Sequence, residues 1–300
     1  MAKKQEYGNE SIKSLKGAER VRKRPAVIFG SDGIEGCEHS IFEIMSNSID
    51  EAREGYGKKI IITKYLDGSV EVQDFGRGIP VDYNKNEGKF NWELLFCEMY
   101  AGGKYDNGGD NYEFSLGLNG LGLCATQYAS EYMDAEIKSG GYKYTLHFEH
   151  GENVGGLVKE EYKKRGDTGT RIKWKPDLKV FTDINIPVEY FEKTIKRQAI
   201  VNDGIKFVFK NQISSASFDT KEYCYENGIQ DYVKDIAGDK AFTTPQYWEC
   251  ERVGKDREDL NEYKLKIKAA LCFSLDTQLK EYYHNSSFLE HGGAPEKAFK

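Results

Sequence analysis

The stretch from Glu38 to Gly55 constrains the fold most. Ile41, Ile44, Met45, Ser48, Ile49 and Ala52 recur at helical spacing, while Glu43, Asn47, Asp50 and Glu54 fall on the opposite stripe. A helix of this kind must lay its apolar side on something broad. The next segment supplies it: Lys59–Leu66, an Asp67-Gly68 turn and Ser69–Asp74 read as a β-hairpin, with Val70 and Val72 alternating. Helix over sheet is the expected start of the fold. By itself the polar stripe reads as a solvated helix face more readily than as chemistry.

Further elements follow from the same periodicities. Residues 11–24 read as a basic helix stopped by Pro25, Asn91–Tyr100 and Leu121–Ala129 as helices, and Val188–Asn202 as another. Glu131–Lys138, Tyr142–His150, Thr170–Lys175, Ile205–Lys210 and Tyr263–Leu275 read as strands, with a short helix near Gly228–Ile236. The pattern changes after Asn202, so a boundary is expected near 215. The first part mixes a sheet with helices on one face, an α+β arrangement.

Charge and composition exclude more than they select. At 39% apolar and 31% charged residues the chain has material for a core and a polar surface, and no apolar run approaches a membrane span. The polar start lacks the apolar core of a signal peptide, so the cytoplasm is the expected location. Six scattered cysteines without a CxxC pair read as reduced thiols. His147 and His150 would fall on opposite faces of a strand, which argues against a metal pair. The net charge of −6 argues against strong DNA binding by this segment alone, despite the basic cluster Lys13, Lys16, Arg20, Arg22, Lys23 and Arg24.

Three clusters carry candidate chemistry. Glu43, one turn before Asn47, could deprotonate a water while the Asn47 carboxamide offers an oxygen to a hard cation such as Mg2+. Asp74-Phe75-Gly76-Arg77-Gly78-Ile79-Pro80 puts a carboxylate at a strand end, suited to accepting from an exocyclic amine such as that of adenine, beside glycines that permit close approach. The seven glycines from Gly102 to Gly122 run into a helix start, where backbone N–H groups suit phosphate. Each also has a plain reading, as an acidic turn or a mobile loop. Two apparent motifs carry nothing: Asp74-Phe75-Gly76 and Ala294-Pro295-Glu296 spell kinase signatures without an HRD loop, and Gly102-Gly103-Lys104 lacks Walker spacing.

Taken in order, Glu43-Ile-Met-Ser-Asn47-Ser-Ile-Asp50-Glu-Ala52, Asp74-x-Gly76-Arg77-Gly78-Ile79-Pro80, Gly117-Leu-Asn-Gly120-Leu-Gly122 and Thr168-Gly169-Thr170 resemble the GHKL ATPase superfamily. Tyr7…Ile12-Lys13-x-Leu15-Lys16-Gly17 with Val21-Arg22-Lys23-Arg24-Pro25, and Ala101-Gly102-Gly103-Lys104-Tyr105-Asp106, resemble more narrowly the B subunits of bacterial type IIA DNA topoisomerases, gyrase and topoisomerase IV. The resemblance implies a GHKL (Bergerat) sandwich of a mixed sheet covered by helices over residues 1–215, with an N-terminal dimerisation arm, and the start of an α/β transducer domain over 216–300. It implies ATP and Mg2+ as cofactors, with Glu43 as general base, His39 positioning it and Asn47 holding the metal. Asp74 would read adenine, with Thr170 behind it, and Gly78, Ile79 and Pro80 would line the base pocket. Lys104 and the loop Gly117, Leu118, Asn119, Gly120, Leu121 and Gly122 would hold phosphates, and Asp50 and Arg77 complete the nucleotide-binding set. Tyr7 would reach the nucleotide of a second copy, locking an ATP-dependent dimer. The implied partners are that copy, the DNA-cleaving A-type subunit and, through the whole enzyme, DNA; no membrane is implied.

The departures are Asn119 where the family usually has His, Phe75 for a polar residue, and Gly292-Gly293-Ala294-Pro295 for Gly-Gly-Thr-His. Thr145 is expected to stand where many gyrases carry an Arg at the pocket mouth that contacts aminocoumarins. The family's Gln-Thr-Lys switch loop and Toprim acidic motifs do not appear, so the expectation is a piece of a longer protein with slow or absent turnover. A chaperone- or repair-type ATPase, or a nucleotide-binding module without turnover, are the alternatives.

Overall fold

The computed structural model describes residues 12, 14–102, 116, 120–164, 166–255, 257–259 and 262–300. Tyr7, Lys104, Gly117, Leu118 and Asn119 lie outside the described residues.

The order of elements is α1 (Glu19–Arg22), α2 (Pro25–Phe29), α3 (Ile34–Arg53), β1 (Lys59–Lys64), β2 (Val70–Asp74), β3 (Tyr83–Asn84), β4 (Lys89–Phe90), α4 (Asn91–Cys97) and α5 (Gly122–Tyr128). Then come β5 (Ser130–Ser139), β6 (Tyr142–Glu149), β7 (Glu152–Glu161), β8 (Gly169–Pro176), α6 (Val188–Val201), β9 (Lys206–Gln212) and β10 (Phe218–Tyr223). The chain continues through α7 (Ile229–Ala237), β11 (Gln246–Gly254), β12 (Tyr263–Leu271), β13 (Tyr283–His284), β14 (Ser287–Phe288) and α8 (Gly293–Phe299).

Eight strands form one sheet in the order β10-β9-β1-β2-β8-β5-β6-β7. It is mixed: β1 and β9 run parallel, and the other neighbours are antiparallel. Alternation sets its two faces. Ile60, Ile62, Val70, Val72, Ile172, Trp174, Met133, Ala135, Ile137, Leu146 and Phe148 are buried in the core with Ile41, Ile44, Met45 and Ile49 of α3. Neighbouring positions carry charges that pair across strands, as in Arg171 with Glu136 at 3.0 Å and Lys175 with Glu131 at 3.2 Å. A mostly antiparallel sheet covered on one side reads this way.

Local differences from the sequence reading have physical causes. Pro25 does not merely stop a helix: it is the first residue of α2, where its missing N–H costs nothing. Only Glu19–Arg22 of the expected 11–24 helix is helical among the described residues. α3 starts at Ile34 rather than 38; its first turn holds Gly36, where a Cβ would stand 2.3 Å from the Ser31 carbonyl. A residue that lowers helix propensity is here required by close packing. β7 escaped notice because Gly155 and Gly156, both at positive φ, break its alternation. β10 joins the main sheet, which therefore runs on to Tyr223, past the expected boundary at 215.

All six cysteines are free. His147 pairs with Asp134 and Glu149, whereas His150 pairs with Asp177, so the two histidines serve separate partners. Among the described residues no cluster of His, Cys, Asp and Glu suits a metal ion, and no helix is long and apolar enough to cross a membrane.

Trp174 sits at the centre of the covered face, fully buried, and its Nε1 donates to the Thr126 carbonyl of α5 at 3.0 Å. Trp174→Ala is expected to cost about 3–5 kcal/mol of stability, read as a lower urea midpoint.

Candidate active site

Three elements meet along the second half of α3: the strand end of β2 with the turn after it, the start of β8, and the start of α5. Asp74 closes β2 and is only 7% exposed. A buried carboxylate needs donors, and it has three. Oδ1 accepts from the backbone N–H of Gly76 at 3.1 Å and of Thr170 at 3.0 Å, and Oδ2 accepts from the Ser48 hydroxyl at 2.9 Å. Two carboxylate oxygens offer about four acceptor positions. One on Oδ2 is therefore left for a donor arriving from outside, which is what an exocyclic amine supplies. Burial pushes the Asp74 carboxyl above its ordinary value, and these three bonds only partly offset that.

The glycines let the backbones close around it. A Cβ at Gly169 (φ +141°) would stand 2.3 Å from the Asp74 carbonyl, and one at Gly78 (φ +84°) would stand 2.8 Å from the Lys138 carbonyl. The Ile79 N–H donates to Thr170 Oγ1 at 3.2 Å, and Thr168 Oγ1 donates to the Gly76 carbonyl at 2.6 Å. The Gly78–Pro80 turn is thus stitched to β8, with Ile137 and Ser139 of β5 beside it. At the rim, the Arg77 guanidinium forms a two-point ion pair with Glu51 at 2.8 and 2.9 Å and stacks on Tyr56, 3.8 Å from the ring centre. A carboxylate and an aromatic ring of this chain thus already engage Arg77.

The other end of the site is built on Glu43. His39 Nε2 lies 3.1 Å from Glu43 Oε1, and His39 Nδ1 lies 3.2 Å from the Phe29 carbonyl. Glu43 Oε2 faces Gly122 at the start of α5 so closely that a Cβ there would sit 1.9 Å away. Asn47 donates from Nδ2 to the Glu43 carbonyl at 3.1 Å, and its Oδ1 accepts no hydrogen bond among the described residues. An uncommitted carboxamide oxygen beside a carboxylate fits a hard cation such as Mg2+. Asp50 is different: it is 2% exposed and its Oδ1 accepts the Leu116 N–H at 2.9 Å, so it anchors the segment leading into the glycine loop. Gly120 (φ +58°) accepts the Tyr100 N–H through its carbonyl, and Leu121 precedes α5.

Thr145 pairs with Glu136 and lies in a groove with Glu71, Arg171 and Lys173, on the sheet face away from α3. The strand residues at the Gly78 turn are Ile137 and Ser139. Two contributors were missed in the sequence. Ser48 was counted with the apolar stripe, although a hydroxyl there is the signal; Glu51 was passed over, although it stands one turn after Asn47.

A helix-covered mixed sheet, a donor-held buried carboxylate at a strand end, and a glutamate against a glycine-opened helix define the class: the GHKL type of ATPase domain. The comparisons narrow this. No family model matches the chain. It is 36% identical over 230 residues to the B subunit of DNA gyrase from Thermotoga maritima, and 36% identical over 240 residues to the B subunit of DNA topoisomerase 4 from Staphylococcus aureus (strain MW2). These matches cover 77% and 79% of this chain and 35% of each relative. The crystal structure of the 43K ATPase domain of Thermus thermophilus gyrase B, in complex with an aminocoumarin, superposes with a TM-score of 0.65 at 28% identity, over 79% of this chain and 59% of that one. The chain belongs to the family of DNA gyrase and topoisomerase IV B subunits and carries the fold of their ATPase domain. It spans about a third of the length of the two curated relatives.

The His39–Glu43 pair yields a pH prediction. The hydrogen bond to Glu43 raises the His39 value, against burial that lowers it. The folded state then holds the proton more tightly than the unfolded chain, so the pair's contribution is full below about pH 6.5 and fades as pH climbs through the folded value. The ring is 45% exposed, so screening keeps the gain under about 1 kcal/mol. His39→Gln should lose more stability relative to wild type at pH 5.5 than at pH 8.5, measured by urea unfolding; an equal loss at both would refute the pairing.

Proposed function

We propose that this chain is the ATP-binding and ATP-hydrolysing part of a type IIA topoisomerase B subunit, a nucleotide-driven dimer gate for DNA strand passage. The observation that carries it is the pairing of two ends on one helix: Asp74, held by Ser48 of α3 with one acceptor position open, and Glu43 of α3 against Gly122.

In this reading Asp74 accepts the amino group of adenine, and the Gly78–Pro80 turn with Ile137 packs the ring. Glu43 Oε2, on the side away from His39, orients and deprotonates the water that attacks the γ-phosphate, while His39 fixes the carboxylate through Oε1. Asn47 Oδ1 is the protein ligand for Mg2+, which would neutralise phosphate charge when bound. Most of the rate then comes from positioning and from the backbone N–H groups at the start of α5. Lys104 and the Gly117–Asn119 part of the loop complete the phosphate site, and Tyr7 reaches the nucleotide of a second copy; the family resemblance supports these. The second copy, the DNA-cleaving A-type subunit and DNA through the whole enzyme are the proposed partners, in the cytoplasm. The net charge of −6 accords with DNA being held mainly elsewhere in the enzyme. We read the residues beyond the main sheet, after Tyr223, as the start of the transducer.

In a protein carrying the whole transducer, Glu43→Ala should bind a non-hydrolysable ATP analogue about as well as wild type, while single-turnover hydrolysis falls by roughly 100-fold or more. Calorimetry and a phosphate-release assay read the two. Undiminished hydrolysis removes Glu43 as the base. Binding without hydrolysis by the wild type carrying the whole transducer would mark a nucleotide-binding module.

A further inference from the structure

Lys16, Arg20, Lys23 and Arg24 of the basic segment are exposed, but Arg22 between them turns inward. Val21 is fully buried, and Ala18 is packed so tightly on the Gly151 turn that a Cβ at Gly151 would stand 2.6 Å from it. The Arg22 guanidinium enters behind them. Nη1 donates to the carbonyls of Tyr128 and Ser130, each at 3.1 Å, and Nη2 to Asp177 Oδ2 at 2.5 Å. Tyr128 is the last residue of α5, and Ser130 opens β5.

Asp177 is itself a junction, 3% exposed at the end of β8. Its N–H donates to the Ala129 carbonyl at 3.2 Å, and its own carbonyl accepts from Val180 and Phe181 at 2.9 Å. Oδ1 accepts the Lys179 N–H at 2.8 Å, and His150 Nδ1 lies 2.9 Å from Oδ2. Burial would push this carboxyl up, but Arg22, the Lys179 N–H and His150 together hold it below its ordinary value. A carboxylate so enclosed is fixed, and it fixes Arg22.

α5 is short and tied at several points. Its far end rests on Arg22, its middle donates from Thr126 Oγ1 to the Ser40 carbonyl of α3 at 3.1 Å, and its first residue, Gly122, meets Glu43. α5 thus runs as one short helix from the Arg22 contact to Glu43. β8 links the same junction to the other side of the pocket, because the strand that ends at Pro176, just before Asp177, begins at Gly169 and Thr170. We propose that Arg22 is a positioning residue: by clamping the end of α5 to the end of β8, it sets the distance between the phosphate side and the base side of the pocket. This rests on the reading of Glu43 and the start of α5 as the phosphate end. The planar fork of arginine is needed because a single ammonium cannot serve two carbonyls and a carboxylate in fixed directions.

The test uses this chain in three variants. Arg22→Gln with Asp177→Asn replaces the ion pair by neutral groups that can still hydrogen-bond, so no lone buried charge is left to unfold the protein; Arg22→Lys keeps the charge and loses the fork. Binding of adenosine is followed by ligand-observed NMR, and binding of a non-hydrolysable ATP analogue by calorimetry. Both variants should hold adenosine within about twofold of wild type and the triphosphate about tenfold more weakly. A triphosphate affinity unchanged in both variants, or equal losses for both ligands, overturns the proposal. Asp74→Asn separates the two levels: it should weaken both ligands, and if it weakens neither, the pocket reading falls and the inference with it.

Discussion

Burying a carboxylate at the end of a strand is costly unless donors reach it, and much of this molecule is arranged so that they reach Asp74. Ser48 is delivered by α3, the Gly76 N–H by the chain's own turn, and the Thr170 N–H by the neighbouring strand β8. Three elements must be in register before the charge is tolerated. The glycine at 169 exists for the same reason, since any Cβ there would collide with the Asp74 carbonyl. A polar group that needs a precise surround specifies the geometry of its surround.

The hydrophobic pattern made much of the scaffold legible. α3, the β1–β2 hairpin, β5, β6, β8 and α6 alternate or repeat cleanly, because each has one face against a dry core and one against water or charge. What escaped had its signal erased locally. The first turn of α3 contains Gly36, which packing demands and helix propensity disfavours. β7 carries two glycines at positive φ, and β11 is exposed along most of its length, so neither shows a buried period.

The site was legible in a different way. Glu43, Asn47 and Asp74 were found as an ordered set, through resemblance, and not through any property of one residue. The supporting groups were harder. Ser48 is small enough to sit on an apolar stripe without breaking it, and Glu51 looks like surface charge until Arg77 is seen folded onto it. Asp50 shows the opposite difficulty: it shares a stripe with Glu43 and Asn47, yet its carboxylate turns to the Leu116 N–H. Position on a helix face says which groups are neighbours, and the loops decide which of them stay open.

One consequence follows from α3 itself. Glu43 and Ser48, which serve opposite ends of the pocket, stand on a single uninterrupted helix, with Glu51 a little further along. At 1.5 Å per residue the separation from Glu43 to Glu51 is about 12 Å along the axis, and it cannot change without breaking backbone hydrogen bonds. The helix therefore works as a ruler. In the proposed reading, a nucleotide held at Asp74 is placed against Glu43 at a spacing that this stiff rod sets.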